Sequence, residues 1–179
     1  MRANWLLVTL VAVLAVGCGE GRAIFNVDVY SFLKGTRADT VPYYVNPMSS
    51  GDSSSITKIN LPGAGSSVVD QVHVTGSADF LNAIGAGKIA LQLYLAEDSA
   101  GTYAPGALAL KVDSTTITGA GTFPTTIDSD LTAALQVLTK SQVWVRVVGG
   151  GSNPNLTPLA GRLVVTSLLM HVVLTDKFF

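Results

Sequence analysis

Hydrophobic residues recur at every second position over much of this chain. The clearest run covers residues 88–95, where aliphatic side chains alternate with Lys, Ala, Gln and Tyr. Successive side chains of a strand point to opposite faces, so such a run buries one face and exposes the other. The same alternation predicts strands over residues 25–30, 71–75, 108–112 and 143–147.

Other segments carry a weaker or different strand pattern. Residues 41–45, 56–61 and 115–118 are weaker candidates, whereas residues 163–174 are apolar on both faces and predict a long central strand. Glycine and proline clusters separate these runs, as expected at turns. The whole pattern predicts an all-β fold, a single antiparallel β-sandwich (Ig-like or jelly-roll-like) of about eight strands.

Two segments have helical spacing instead. The first has apolar residues at intervals of three and four: Leu131, Ala134, Leu135 and Leu138. With Asp128 or Ser129 available as N-cap, it predicts one short helix near residues 129–139. A further helical turn is predicted over residues 80–84, just before Gly85.

The first 18 residues differ from the rest. Arg2 precedes an apolar stretch from Trp5 to Val16, and the chain's one cysteine, Cys18, follows Gly17. Ala15-Val16-Gly17-Cys18 resembles the lipobox of bacterial lipoproteins, although that family usually has Leu three residues before the cysteine, where this chain has Ala. The apolar stretch spans about 20 Å as a helix, too short for about 30 Å of hydrocarbon.

The resemblance implies a domain organisation and a location. Residues 1–17 would be a signal peptide, residues 18–23 a tether with diacylglycerol on Cys18, and residues 24–179 the β-sandwich domain. We expect a cell-envelope protein outside the cytoplasm, with the membrane as a partner through its lipid. Whether the leader is cleaved or retained as an anchor is left open. Gly19, where the family has Asp for inner-membrane retention, favours the outer membrane if the cell has one.

Charge and composition narrow the possible partners and chemistry. The net charge is −1, from 11 Lys and Arg against 12 Asp and Glu. No basic run indicates nucleic acid, which needs a positively charged face. If Cys18 carries lipid, no cysteine remains for a disulfide, and the fold depends on its apolar core.

No catalytic or metal-binding pattern is present in the sequence. It lacks a G-x-S-x-G motif, and its histidines are only His73, expected on an exposed strand face, and His171, expected in the core or an interface. We predict no metal and no cofactor. The acids at predicted element ends are interpreted as turn and cap residues, with a loop calcium site as the alternative: Asp98, Asp113, Asp128 and Asp130.

Aromatic residues supply the candidate contact sites. Trp144 and Tyr94 lie on strand faces opposite the aliphatic stripes, so the two could form an exposed pair or be covered. Tyr43 and Tyr44 follow Pro42 and could form a platform on a loop or an edge strand. These four aromatic residues are the predicted ligand or partner contacts.

These features favour a non-enzymatic function. The first hypothesis is a lipid-anchored accessory or scaffolding subunit that contacts another envelope protein at the membrane surface. The alternative is a binding module for a glycan or a small hydrophobic ligand. A hydrolase is a third hypothesis, and it would require a cleft that joins His73 or His171 to a carboxylate and a serine.

Overall fold

The computed structural model describes residues 21–61, 63, 67–131, 133 and 135–176. In these residues the chain forms two antiparallel sheets that make a sandwich, which confirms the predicted fold class. The predicted leader and Cys18 lie outside the described residues. The described elements are β1 (Gly21–Asp28), α1 (Val29–Thr36), β2 (Thr40–Val45), β3 (Ser49–Asn60), β4 (Val68–Ile84), β5 (Gly87–Ala96), β6 (Leu108–Lys111), β7 (Thr115–Ile117), β8 (Gly121–Asp130), β9 (Gln142–Asn153) and β10 (Leu159–Asp176).

The first sheet, sheet A, has the strand order β1-β10-β4-β8. The predicted long central strand is confirmed as β10, which pairs along most of its length with β4. Its other edge is shared, because β2 pairs with residues 159–164 and β1 with residues 169–176. Between β1 and β2, α1 packs against β10 and against β3 of the other sheet.

The second sheet, sheet B, has the order β3-β9-β5-β6. β7 pairs with the beginning of β5 and β6 with its second half, so these two short strands share one edge. β9 lies in the middle of the sheet, between β3 and β5. Its end is rich in glycine, from Gly149 to Gly151.

The core lies between the sheets and is built from the predicted aliphatic stripes. In sheet B the inward residues include Leu93 of β5 and Val145 of β9, both at most 2% exposed. Sheet A contributes Phe80 and Met170, which are fully buried. Alternation of period two therefore predicted the buried face of β5 and β9 correctly.

One helical prediction was wrong, since residues 80–84 are the end of β4, with Phe80 in the core. The short helix predicted near residues 129–139 is confirmed in its second half only, as the 3-10 helix Leu135–Thr139. Asp128 and Ser129 belong to β8, which was not predicted as a strand. Ala134 lies outside the described residues.

The α-helix in the structure is one the sequence reading missed. α1 begins directly after β1, and Val29 and Leu33 are its fully buried residues. Asp28 is its N-cap, accepting a hydrogen bond from the Ser31 amide at 3.1 Å, and Arg37 ends it in the left-handed conformation. Hydrogen bonds from Ser31 lower the pKa of Asp28. No helix in the described residues is both long and apolar enough to span a bilayer.

The two ends of the sandwich differ in their connections. Four turns meet at one end, which we call the tip, and comprise residues 46–48, 85–86, 118–120 and 154–158. These turns contain no Asp, Glu, Lys or Arg. β1 starts at the opposite end, the tether end, and its first three residues, Gly21 to Ala23, were predicted to be tether.

Candidate functional site

The outer face of sheet B carries an arginine held between two tyrosines. Arg146 of β9 lies opposite Tyr94 of β5, and directly opposed residues share a face. The Arg146 guanidinium lies 4.0 Å from the ring centroid of Tyr94 and 4.3 Å from that of Tyr103. Such stacking on two rings stabilises a desolvated cation. Arg146 is only 7% exposed.

A short irregular segment completes this cluster. The segment runs from residue 97 to residue 107 and contains the 3-10 turns Gly101–Tyr103 and Pro105–Ala107. Asp98 accepts a hydrogen bond from the Gly101 amide at 2.6 Å, which starts the first turn. Arg146 donates two hydrogen bonds to the carbonyl of Thr102, from Nε at 3.2 Å and Nη2 at 2.8 Å. Arg146 therefore fastens the segment onto the sheet.

Next to the cluster the sheet surface becomes concave. An open cleft of about 740 Å³ lies over the middle of sheet B. Its floor includes Ala90 and Gly150, which face each other across β5 and β9. Small residues at the centre of a sheet leave a depression between the longer side chains of the edge strands. Here Asp52 lines one side, and Lys111 and Asp113 line the other.

The cleft is polar and connects to the cluster of Arg146, Tyr94 and Tyr103, which we call the arginine cluster. Tyr94 donates a hydrogen bond at 2.7 Å to Gln92, which lines the cleft. Tyr103, at the far side of the cluster, is 65% exposed. The charged side chains of the cleft form no ion pair with any other described residue: Asp52, Lys88, Lys111 and Asp113.

A second concavity continues the cleft to the tip. It has a volume of about 850 Å³ and shares Ser50, Lys88 and Ser152 with the first. The two together form one trough, in which we call the first concavity the polar half and the second the apolar half. The second half is lined by the apolar residues Met48, Ala86 and Pro154 and by neutral polar residues: Ser49, Thr116, Thr118 and Asn155.

The structure places Tyr94 and Trp144 on one face as diagonal neighbours of adjacent strands and separates them from Tyr43 and Tyr44. Tyr94 and Trp144 both lie half-buried on the outer face of sheet B, where Trp144 is opposite Ala96 and Lys58. Tyr44 is 61% exposed on the outer face of sheet A.

Tyr43 is unsuited to a surface platform. It is 3% exposed, and its hydroxyl donates to the side-chain carbonyl of Asn82 at 3.1 Å. Burial raises the pKa of Tyr43 to about 12. Arg146 and Tyr103 were not among the predicted contact residues, since their contact depends on the fold of a segment that has no periodic pattern.

The two histidines face each other on the outer face of sheet A. His73 and His171 are opposite one another on β4 and β10. His171 is exposed, so the expectation of a core position was wrong and that of an interface position stays a prediction. Its Nδ1 is 2.9 Å from the side-chain oxygen of Asn26. In the described part of the chain, no serine hydroxyl bonds to either ring, which the hydrolase hypothesis would need.

His73 is bound by two carboxylates of β8. Its Nδ1 is 2.8 Å from Asp130 and its Nε2 is 3.1 Å from Asp128. Both ring nitrogens can donate only in the protonated imidazolium. The hydrogen bond to Asp130 is the main cause that raises the pKa of His73, and the same bond lowers the pKa of Asp130. Among the described residues, no three His, Cys, Asp or Glu side chains are grouped so that they could hold a metal ion.

Comparison with known proteins gives only loose structural likenesses. No family model and no curated protein matches the chain. Among solved structures, a non-crystalline cellulose specific carbohydrate-binding module, CBM28, is 12% identical with a TM-score of 0.40, covering 72% of this chain and 71% of that one.

Two further structures show a similar degree of likeness. TmCBM61, solved in complex with beta-1,4-galactotriose, is 12% identical with a TM-score of 0.32, covering 83% of this chain and 88% of that one. A chain of the T13 IBDV viral particle is 10% identical with a TM-score of 0.36, covering 86% of this chain and 35% of that one. Likeness this low carries no argument about function.

Proposed function

We propose that the chain is a non-catalytic glycan-binding domain whose ligand lies in the trough on the outer face of sheet B. The observation that carries the proposal is the polar half of the trough beside the arginine cluster. Its hydroxyl, amide, carboxylate and ammonium groups offer donors and acceptors to sugar hydroxyls. Tyr103 offers an exposed ring, and an aromatic ring can pack against the apolar face of a sugar.

The geometry also meets the ordinary requirements of a binding site. The cleft is open and concave, and its volume of about 740 Å³ is within the usual range for small-ligand sites. Arg146 fixes the segment that carries Tyr103, so the ring is held in place before a ligand arrives. Such preorganisation lowers the entropy lost on binding.

The proposal is tested by binding to a panel of immobilised and soluble oligosaccharides. We expect saturable binding of at least one of them, weakened at least tenfold in Tyr103→Ala and in Gln92→Ala. Tyr44→Ala is the matched control, because Tyr44 is equally exposed but lies on the other sheet, and it should bind as the unaltered chain does. Absence of binding to every glycan, or binding that neither Tyr103→Ala nor Gln92→Ala weakens, would overturn the proposal.

The accessory-subunit hypothesis is a second candidate, favoured by one observation at the tip. Four large apolar side chains are exposed there or on the strands beside it: Tyr44 (61%), Met48 (70%), Ile84 (49%) and Leu156 (85%). Exposed apolar clusters commonly mark protein interfaces. Size measurement after extraction in mild detergent tests it: migration with a large assembly that Leu156→Asp abolishes supports the hypothesis, and migration as a single domain contradicts it.

A further inference from the structure

The trough changes its chemical character along its length. The polar half contains Asp52, Asp113 and Gln92, whereas the apolar half is lined at its mouth by Met48 and Pro154. A ligand made of sugar alone would leave the exposed apolar side chains of Met48 and Pro154 in the second half against water. The apolar half is the larger of the two, at about 850 Å³.

Lys88 marks the boundary between the halves. It lines both of them, and among the described residues it is the only charged one that lines the apolar half. Beyond it the turns of the tip carry no charged side chain. The part of a ligand that extends past Lys88 therefore meets neutral and apolar groups, which fits a hydrocarbon better than a charged or strongly hydrated group.

The apolar wall is already formed in the structure. Met48 has a left-handed backbone with φ of 53°, an uncommon conformation for a residue other than glycine. Its amide donates to the carbonyl of Asn155 at 3.1 Å, and Asn155 donates to the carbonyl of Ala86 at 2.9 Å. Asn153, 1% exposed, also holds this region through the carbonyls of Val45, Asn46 and Thr157.

We infer that the ligand is an amphiphile, a glycan joined to an apolar chain, with its sugar in the polar half and its chain in the apolar half. The inference rests on the proposed function and adds the class of glycan. The continuity of the two halves supports it, because one molecule can fill both. The chain would pack against Met48 and Ala86 and would leave the trough near Pro154.

Matched pairs of ligands test the inference on the full-length chain in lipid nanodiscs. The probes are maltose, cellobiose and lactose, each free and as its hexyl glycoside below the micelle concentration, with empty nanodiscs as the correction for partitioning. For the disaccharide that binds, the hexyl glycoside should bind at least tenfold tighter, since burial of two or three methylenes suffices for that factor. A diazirine on the hexyl chain should cross-link to peptides that contain Met48 or Pro154.

Two variants distinguish binding in the apolar half of the trough from binding elsewhere at the tip. Met48→Asp should remove the gain from the hexyl chain, so that the free and the hexyl-linked disaccharide bind this variant with equal affinity. Leu156→Asp is the control, because Leu156 is 85% exposed at the tip but does not line the trough, and it should keep the gain.

The failures of the two proposals are distinguishable. Equal affinity for free and hexyl-linked disaccharides, or cross-links elsewhere, would overturn the amphiphile and leave the glycan-binding function intact. If no free saccharide of any panel binds, the proposed function fails, and the amphiphilic glycan fails with it even when a hexyl glycoside still binds.

Discussion

At the scale of single residues, Arg146 carries the strongest constraint. A buried guanidinium must keep its hydrogen bonds, and here both go to one carbonyl, that of Thr102. Arg146→Lys keeps the charge but loses the paired donors and most of the stacking on two rings. We expect urea unfolding to show that the free energy of unfolding falls by about 1–3 kcal/mol, the usual contribution of hydrogen bonds to charged groups.

The same substitution should also loosen the segment that carries Tyr103. Hydrogen exchange of residues 97–107 measures this, and exchange there should be faster in Arg146→Lys than in the unaltered chain. Lys58→Arg is a suitable control, because Lys58 is exposed on the same face and forms no ion pair with a described residue. Equal exchange in both variants would show that Arg146 does not hold the segment.

His73 should make the stability of the fold depend on pH. Its pKa is raised in the folded chain, so the native state binds the proton more tightly than the unfolded state. The resulting stabilisation is fully present below the unfolded value of 6.5 and is lost as the pH rises through the higher folded value. We expect the urea midpoint to fall over that range, and His73→Gln to flatten the profile.

His171→Gln is the comparison for this experiment. The His171 ring contacts the neutral amide of Asn26, whereas His73 contacts two carboxylates that face it from β8. The fall in stability above pH 6.5 should persist in His171→Gln. Loss of the fall in both variants would assign the effect to the histidine pair as a whole rather than to His73 and its carboxylates.

At the scale of elements, two neighbouring glycines of β9 should differ sharply. A Cβ on Gly151 would come within 2.5 Å of Ile89 Cδ1 and 3.0 Å of Val45 Cγ2, both in the core. A Cβ on Gly150 would meet nothing closer than Asp52 Cβ at 4.0 Å. We expect Gly151→Ala to lower the free energy of unfolding, measured in urea, by about 1–3 kcal/mol, as is usual for an overpacked core.

Gly150→Ala tests the floor of the trough without disturbing the core. Its stability should stay within about 0.5 kcal/mol of the unaltered chain, as for substitutions away from packed groups. Its added methyl stands on the floor of the polar half, so glycan affinity should fall. A stable Gly150→Ala chain with unchanged affinity would mean that the ligand does not reach the floor.

Elements were predictable from the sequence where one physical signal dominated. Strict alternation identified β5 and β9, because only one face of each can be buried between the sheets. α1 was missed since its first buried residue, Val29, continues the alternation of β1 and hides the N-cap at Asp28. β8 was missed because Ile127 is its only buried residue, and an exposed edge strand leaves no apolar period.

The candidate site was only half predictable for the same reason. The alternation of apolar and polar residues placed Tyr94 and Trp144 on the outer face of sheet B, because the residues next to each of them in its strand face the core. The contact of Arg146 with Tyr94 depends on the register of β9 against β5, which the sequence alone does not determine. Tyr103 and the floor at Gly150 depend on where segments far apart in the chain meet, for which no local pattern exists.

At the scale of the whole molecule, the trough and the predicted anchor lie towards opposite ends. β1 begins at Gly21, three residues after Cys18, at the tether end. Three residues span at most about 11 Å when extended. β10 runs from the tip to the tether end, about 60 Å for its 18 residues. With lipid on Cys18, we expect the trough's apolar half to open away from the anchoring bilayer, so that its ligand arrives from the opposite side.

This orientation depends on the lipid, which makes Cys18 the site of the last prediction. Cys18→Ala should abolish incorporation of labelled fatty acid and, where the leader is cleaved, release the protein from the membrane fraction. Gly19→Asp should still incorporate the labelled fatty acid. In the family that the leader resembles, Asp at this position retains proteins at the inner membrane. In a cell with two membranes, the Gly19→Asp protein should therefore move to the inner-membrane fraction. If Cys18→Ala is unlabelled yet stays in the membrane, the leader itself is the anchor; if it is still labelled, the lipid is attached elsewhere and the orientation fails.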